Sequence, residues 1–309
     1  MLNTEICDLL DINYPIIQGG MAWIATAELA AAVSNAGGLG IIGCGAAPAD
    51  VIKKEIKKIK KLTDKPFGVN VMLLSPYVNE IMDILYEENV PVITTGAGNP
   101  GKYIKKFKKI GTKIIPVVPS VALAKRMERV GADAIIVEGT EAGGHIGELT
   151  TMTLVPQVVD SVDVPVIAAG GIADGRGVIS AFALGAKGVQ MGTRFVCSNE
   201  CIAHSDYKDK IIKAKDRDAI ATGRSTGHPV RVIKNKLAKK IEKLEKRNAS
   251  KDEIENLAIG TLKKAAIDGD INQGSVMAGQ ISGLIYDIKS CDEIIKGIVK
   301  EALKVKKEI

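Results

Sequence analysis

A glycine-bearing turn presents a histidine at the end of one short, strand-like run of this sequence. The segment from Ile135 to Gly147 reads I-I-V-E-G-T-E-A-G-G-H-I-G, so a β-branched run ends at Glu138 and the turn leads to His145. Glycine permits tight turns and close backbone approach to a flat ligand, and histidine exchanges protons near neutral pH. The pattern also fits a strand followed by a surface loop with an incidental histidine. The residues at the other strand ends must therefore distinguish a functional histidine from an incidental one.

Two further glycine turns follow the seventh and eighth predicted strands. They read A-A-G-G-I, with Gly170 and Gly171, and Q-M-G-T-R-F, with Met191, Gly192 and Thr193. Backbone N–H groups in such turns bind a phosphate without a basic side chain. In β/α barrels the loops after strands 7 and 8 are the common phosphate position. The two turns together predict a phosphate site, either for a sugar phosphate or for flavin mononucleotide (FMN).

Other strand ends favour the flavin. After the first strand the sequence reads Q-G-G-M-A, so glycines allow close approach while Met21 and Ala22 pack against a ring face. Asn70, at the end of the third strand, offers an amide donor and acceptor for the ring edge. A further small-residue turn, G-S-V-M-A-G-Q at 274–280, is by itself more typical of a loop between helices.

An alternation of apolar runs and amphipathic segments must position these turns. Near-continuous apolar character is typical of parallel strands buried on both faces, and the repeat of strand and helix predicts an α/β fold. The count and rhythm favour a (β/α)8 TIM barrel over an open doubly wound sheet. The predicted strands are Pro15–Gln18, Leu39–Ile42, Phe67–Val71, Pro91–Thr94, Lys113–Val117, Ala134–Glu138, Pro165–Ala169 and Gly188–Met191.

The rhythm breaks after Phe195, where polar and then highly charged residues follow. We predict three parts: a barrel over 1–200, a small helical subdomain or lid inserted over 201–256, and C-terminal helices over 257–309 that return to the barrel. Long excursions of this kind in compact domains are often functional.

Composition bounds the class of protein. With 46% hydrophobic and 25% charged residues among 309, the chain is globular. Five scattered cysteines lack zinc-type spacing, the N-terminal residues do not resemble a signal peptide, and no apolar run spans a membrane, so we expect free thiols and a cytoplasmic protein. The net charge of +6 comes mostly from lysines without interleaved aromatics, which argues against single-stranded nucleic acid but permits steering of an acidic partner.

The combined motifs resemble those of the FMN-dependent enoyl-acyl-carrier-protein reductase II family of bacterial fatty-acid synthesis, within the nitronate monooxygenase (2-nitropropane dioxygenase) superfamily. The resemblance covers essentially the whole chain, and the S-V-M-A-G-Q and G-H-P-V-R segments favour the reductase. It rests on Q-G-G-M-A-W (18–23), A-G-G-L-G-I-I-G (36–43), P-F-G-V-N (66–70), T-T-G-A-G (94–98), E-G-x-E-A-G-G-H (138–145), A-A-G-G-I-A-D-G (168–175), Q-M-G-T-R-F (190–195) and S-V-M-A-G-Q (275–280).

The resemblance implies a barrel with FMN at its mouth, a smaller helical domain beside it, and His145 as the catalytic residue. It also implies NADH or NADPH as co-substrate, an acyl carrier protein as partner, a homodimer, and an optional monovalent cation whose ligands are unknown. The implied FMN-binding residues are Met21, Ala22, Asn70, Glu138, Gly144, Gly170, Gly171, Met191, Gly192 and Thr193, with Met277 and Gln280 closing the site.

In the implied reaction, hydride reaches the β-carbon of an enoyl thioester and His145 protonates the product. His228 is a second candidate for the substrate side, whereas His204 reads as a surface residue. Two alternatives use the same turns. A nitronate monooxygenase would use His145 as a base on a nitroalkane, with oxygen as oxidant, and a regulator would bind flavin or phosphate without catalysis.

Overall fold

The computed structural model describes residues 2–309 and contains eleven strands within them. Eight are the predicted ones, each within two residues of its predicted ends. The strands are β1 (Ile16–Gln18), β2 (Gly40–Gly43), β3 (Phe67–Met72), β4 (Val92–Gly96), β5 (Lys113–Val118), β6 (Ile135–Glu138), β7 (Gly144–His145), β8 (Val166–Ala169), β9 (Gly188–Met191), β10 (Ala219–Thr222) and β11 (Val230–Ile233).

Eight parallel strands form a closed barrel in the order β1-β9-β8-β6-β5-β4-β3-β2. The closure lies between β1 and β2, where the backbone N–H of Gln18 donates to Leu39 O at 2.9 Å and Leu39 N–H donates to Ile16 O at 2.9 Å. The prediction of a TIM barrel rather than an open sheet is therefore confirmed. Closure brings the carboxyl ends of all eight strands to one rim.

Helices alternate with the strands and cover the barrel. In α3, for example, Ile52, Ile56 and Ile59 are buried while lysines occupy the outer face, as the amphipathic spacing requires. The helices are α1 (Glu5–Leu10), α2 (Ala27–Asn35), α3 (Ala49–Leu62), α4 (Val78–Glu87), α5 (Gly101–Lys108), α6 (Val121–Arg129), α7 (Thr151–Val159), α8 (Gly175–Ala183), α9 (Thr193–Val196), α10 (Ser205–Ile212), α11 (Lys236–Lys246), α12 (Lys251–Ala258), α13 (Thr261–Ala266) and α14 (Cys291–Glu308).

The barrel interior is filled at its amino end. Inward-facing residues such as Ile17, Ile41 and Ile136 are fully buried, and Ile6 and Leu10 of α1 pack against this cluster. Because the amino end of the barrel is filled by side chains, a ligand site can form only at the carboxyl ends of the strands. All five cysteines are buried and unpaired, and no helix within residues 2–309 is long and apolar enough to cross a membrane.

A second unit, which we call the appended segment, comprises residues 201–290. It contains the helices α10 to α13 and, in addition, two strands that the sequence analysis did not predict. β10 and β11 pair antiparallel, and β11 also pairs with β7, the short strand that carries His145. The sequence analysis did not predict these strands. One reason is that β11 pairs with a strand of only two residues in a distant barrel loop, and no local pattern indicates that pairing. The predicted divisions at residues 200 and 256 stay predictions.

The appended segment has its own small core and is tied back to the barrel by the last helix. Leu237, Ile241, Leu244 and Ile254 of α11 and α12 form a separate buried cluster. α14 leaves this unit and packs on α8 and α2 in the outer layer of the barrel.

Candidate active site

The turn after β1 lies across the rim. Gly19 N–H donates to Met191 O at 3.0 Å, and the position of a side chain on Gly192 lies 3.4 Å from Met21 Sδ. The structure thus brings Met21 beside the glycine turn after β9, as expected. The Met191 side chain, in contrast, is buried in the main core, so only its backbone faces the rim.

The predicted ring-edge residue, Asn70, lies directly beside this turn. Its Nδ2 donates to Thr94 Oγ1 at 2.9 Å, which leaves Oδ1 as an acceptor. A Cβ on Gly20 would lie 2.2 Å from Asn70 Cβ, so only glycine allows the β1 turn to pass so close. Ala22 approaches Gly45, beyond β2, in the same way. This half of the rim is therefore a tightly packed surface made from backbone and small side chains.

The glycine turns after β8 and β9 lie next to each other at the rim, where the sequence predicts a phosphate site. Gly170 and Gly171 have φ of 85° and 72°, a left-handed conformation that favours glycine. Within residues 2–309, the backbone N–H groups of Gly171, Gly192 and Thr193 donate to no other protein group. Free N–H groups on adjacent strand ends are the donor set that a phosphate requires.

The side chain of Thr193 also holds a neighbouring turn. Its Oγ1 accepts a hydrogen bond from Gly279 N–H at 3.0 Å, so it anchors the turn at 274–280 over the end of β9. Glu141 O accepts from Gln280 N–H at 2.9 Å, and the Gln280 side chain is exposed. The turn that reads as an ordinary loop from sequence is therefore held against two strand ends.

Glu138 ends β6 and points into the mouth. Part of the residue faces the opening, but its carboxyl group is enclosed enough that desolvation raises its pKa to about 7. No group among residues 2–309 donates a hydrogen bond to this carboxyl. An unpartnered carboxyl at the strand end is free to meet a bound ligand.

His145 is held by β-sheet pairing rather than by the barrel. It lies opposite Val230 in the β7–β11 pair, and the next residue, Ile146, donates its N–H to Pro229 O at 3.1 Å. The imidazole reaches solvent, yet desolvation by its surroundings lowers its pKa below the ordinary value and the charge of His228 lowers it further. The structure therefore brings the two histidines together beside the mouth.

Met277 covers the same loop from the other side. A side chain on Gly144 would lie 3.6 Å from Met277 Sδ, and Met277 O accepts from the Tyr207 hydroxyl at 2.7 Å. Tyr207 is fully buried in α10, so the appended segment fixes the backbone of Met277. The sequence analysis missed Tyr207. The only indication in the sequence is that a single tyrosine occurs within a polar stretch.

Arg231 is the second residue that sequence reasoning missed. It is buried, its Nε donates to Thr140 O at 3.0 Å, and its Nη1 donates to Ala219 O at 3.2 Å. Burial and the charge of Arg224 lower its pKa, and Glu141 opposes that shift. Arg231 thus ties the loop that carries His145 to strand β10 of the appended segment. Its motif, G-H-P-V-R, was noted only for its resemblance.

The remaining histidine has a structural role. His204 Nδ1 accepts from Asp206 N–H at 3.2 Å and so caps the start of α10, which agrees with its interpretation as a non-catalytic residue. No cluster of three or more His, Cys, Asp or Glu suited to a metal ion occurs within residues 2–309.

The arrangement fits a phosphate-bearing planar cofactor better than a free sugar phosphate. The free N–H groups lie at the ends of β8 and β9, Asn70 lies at the end of β3, and the close-packed β1 turn runs from one to the other. Between them, Glu138 and His145 offer two groups that exchange protons near neutral pH. Such a rim can bind a ring flat across the mouth and deliver or accept a proton beside it.

Comparison with known proteins assigns the family. The nitronate monooxygenase profile matches residues 3–301. FabK from Thermotoga maritima, an enoyl-ACP reductase II, is 52% identical, with a TM-score of 0.97 over 100% of this chain and 98% of that one. A probable nitronate monooxygenase from Staphylococcus saprophyticus is 36% identical over 98% of this chain and 99% of its own length.

The name of a third relative includes a coenzyme A thioester. The (3aS,4S,5R,7aS)-5-hydroxy-7a-methyl-1-oxo-octahydro-1H-indene-4-carboxyl-CoA dehydrogenase of Rhodococcus jostii is 34% identical over 98% of this chain and 96% of its own length. Matches of this identity and coverage, together with the family profile, leave one conclusion. The chain belongs to the nitronate monooxygenase family and is an oxidoreductase.

Proposed function

We propose that the chain is an FMN-dependent enoyl-acyl-carrier-protein reductase of bacterial type II fatty-acid synthesis. The observation that carries this proposal is the 52% identity to FabK over the full chain, combined with a histidine held beside a phosphate cradle. The net reaction adds hydride from NADH or NADPH to the β-carbon of a trans-2-enoyl thioester and a proton to its α-carbon.

The residues at the rim fit FMN. The free N–H groups of Gly171, Gly192 and Thr193 would bind its phosphate, and Asn70 Oδ1 would accept a hydrogen bond from the ring edge. Met21 and Met277 would lie against the ring system from opposite turns. When bound, FMN supplies a ring that accepts hydride from the nicotinamide and passes it to the thioester.

The chain itself supplies the proton. The imidazolium of His145 donates its proton to the α-carbon as the enolate charge develops, and solvent returns a proton because the imidazole is exposed. The β7–β11 pair and the Arg231 clamp hold the imidazole in position during this transfer. Glu138 is less exposed than His145, and we assign it to cofactor contact.

The acidic partner has a basic surface available. Five lysines of α11 lack an ion-pair partner within residues 2–309: Lys236, Lys239, Lys240, Lys243 and Lys246. Ser225 N–H donates to Glu245 of the same helix at 3.1 Å, and Arg224 pairs with Glu148 at 3.5 Å, three residues after His145. These contacts link helix α11 to the loop that carries His145. We propose that the lysine face of α11 binds the acyl carrier protein. A homodimer and a monovalent cation are part of the same proposal.

One observation favours nitronate monooxygenase as the second candidate. Burial lowers the pKa of His145, which favours the neutral imidazole, the form needed to remove a proton from the carbon beside a nitro group. A probable nitronate monooxygenase is also among the relatives. In that reaction oxygen, rather than a thioester, is the oxidant.

One comparison of activities tests the proposal. Protein loaded with FMN is assayed for NADH or NADPH oxidation with an enoyl thioester without oxygen, and for oxygen uptake with a nitroalkane. The proposal requires the first activity to dominate, and dominance of the second would replace it with the monooxygenase. If the protein shows neither activity, the result would favour a non-catalytic regulator. Purified protein should be yellow and release FMN, not FAD, on heating. Failure to take up FMN would restore the sugar-phosphate alternative.

A further inference from the structure

Trp23 is an exposed aromatic residue at the rim that the proposed chemistry does not use. It follows Met21 and Ala22 directly, and 42% of its surface is exposed although it is the only tryptophan of the chain. Its φ of 64° is in the left-handed region, which is unusual for a bulky side chain. Strained backbone of this kind clusters at ligand-binding sites.

The turn holds the indole in place without burying it. Ile24 N–H and Ala25 N–H both donate to Met21 O, at 3.2 and 2.9 Å, so the backbone on both sides of Trp23 is fixed. Within the described part of the chain, the indole N–H has no acceptor. A core role would bury the ring and pair its N–H, so packing does not explain this conformation.

Lys263 of α13, in the appended segment, contacts the face of the indole. Its Nζ lies 5.1 Å from the ring centroid, and no carboxylate among residues 2–309 lies within 4.0 Å of it. The rim therefore presents an indole with an unpaired N–H donor and, over one face of its ring, an ammonium group that has no carboxylate partner. An aromatic face stacks on a purine base, and an ammonium group binds phosphate.

We propose that Trp23 and Lys263 form a binding site for the adenosine diphosphate portion of the nicotinamide co-substrate. This inference rests on the proposed reductase function and names the residues that hold the co-substrate's far end. Trp23 is two residues from Met21, so a nucleotide held there directs its nicotinamide towards the mouth. Coenzyme A carries the same adenosine diphosphate group, whereas the arm of an acyl carrier protein offers a phosphate without a base.

The single tryptophan makes binding measurable without turnover. FMN-loaded protein is titrated with ADP while the emission of Trp23 is recorded. We expect a saturable change, weakened about tenfold in Lys263→Ala, because such a loss corresponds to one charge-assisted contact. Lys106→Ala is the matched control, since Lys106 lies 4.6 Å from the Tyr86 ring on the outside of the barrel. It should bind ADP within about twofold of the unmodified protein.

A kinetic measurement identifies the source of the nucleotide. In anaerobic flavin reduction by NADH, Trp23→Leu and Lys263→Ala should raise the apparent Kd about tenfold with an unchanged limiting rate. With a carrier-protein substrate the KM for NADH should rise and the KM for the thioester should not. A rise only in the KM of a coenzyme A thioester would overturn the assignment to the nicotinamide co-substrate.

The two hypotheses fail in different ways. If NADH does not reduce the flavin at all, the reductase proposal fails while the ADP titration still decides the binding site. Equal ADP affinity in Lys263→Ala and the unmodified protein would overturn the site. A change of emission with phosphopantetheine but not with ADP would also overturn it. FMN content of each variant, read from its absorbance, confirms that the fold is retained.

Discussion

The barrel rim and the appended segment contribute to the candidate site in different ways. The rim groups come from short turns that follow their own strands, such as Gly170 and Gly171 directly after β8. The appended segment contributes through distant contacts: Arg231 donates to Thr140, 91 residues away, and Tyr207 to Met277, 70 residues away. If the proposed function holds, most of the cofactor site is thus a local property of this chain, whereas the position of His145 depends on long-range contacts.

This difference predicts that the two functions can be separated by substitution. Changes at the rim should lower FMN affinity first, because they remove the surface on which the cofactor lies. Changes in the β10–β11 part of the appended segment, away from the turn at 274–280, should leave FMN bound and lower turnover. His145 lies where the two regions meet, in a barrel loop that pairs with β11.

The largest effect is expected for His145→Ala. General acid catalysis contributes ~10²–10⁴-fold, and kcat for the enoyl thioester should fall by that amount. FMN content should not change, because backbone groups and Asn70 hold the cofactor. Steady-state kinetics and absorbance of the same sample measure both. Turnover within threefold of the unmodified enzyme would exclude His145 as the donor and make His228 the next residue to test.

Arg231→Met should lower kcat by about 10- to 100-fold, since a buried charge-assisted hydrogen bond contributes ~1.5–3 kcal/mol. FMN should remain bound, and amide exchange at Ile146 should accelerate because the β7–β11 pair loosens. Arg231→Lys is the matched control: it keeps the charge but cannot reach both carbonyls, so it should recover only part of the activity. Loss of FMN in Arg231→Met would contradict the separation of the two regions.

Gly20→Ala tests the rim. The new methyl carbon would lie 2.2 Å from Asn70 Cβ, and overpacking of this kind costs ~1–3 kcal/mol. We expect FMN affinity to fall about tenfold or more. Gly96→Ala at the end of β4 is the control, because a Cβ there meets nothing within 4 Å. Equal FMN affinity in both variants, measured by flavin fluorescence, would show that the tight turn does not hold the cofactor.

His228→Gln should raise the pKa of His145. The charge of His228 contributes to lowering that pKa, so its removal favours the imidazolium. With only three histidines in the chain, NMR titration of the imidazole resonances can follow each one. Because the proton-donating imidazolium is lost as pH rises through the pKa, the alkaline limb of thioester reduction should move to higher pH. His228→Lys keeps a positive charge and should produce no upward shift.

The smallest effect concerns the lysine face of α11. If it steers an acyl carrier protein, kcat/KM for that substrate should fall more steeply with salt than for a short thioester, because the Debye length shrinks from ~10 Å at 0.1 M to ~3 Å at 1 M. Monovalent cation is kept above any activating level throughout. Charge reversal of Lys239, Lys240 and Lys243 should flatten the difference. Parallel salt curves would remove the docking hypothesis and leave the chemistry unaffected.

Sequence reasoning succeeded where neighbouring residues decide the structure. All eight barrel strands follow from apolar runs bounded by turns, and the glycine turns identify the rim because they directly follow those strands. The assignment of Asn70 and Met21 to one rim also follows, since a barrel gathers its carboxyl strand ends. The roles of Met191 and Thr193 were less predictable, because the direction of a side chain depends on what packs against it.

The sequence by itself determined the barrel, the glycine turns at its rim and the candidate histidine, because each depends on periodicity or on glycine within a few residues. Only the tertiary structure decided that β11 pairs with the loop of His145, that Arg231 clamps that loop, and that Lys263 faces Trp23. The physical reason is that these contacts join residues far apart in the chain, and no local pattern encodes which distant partner will satisfy a given backbone or charged group.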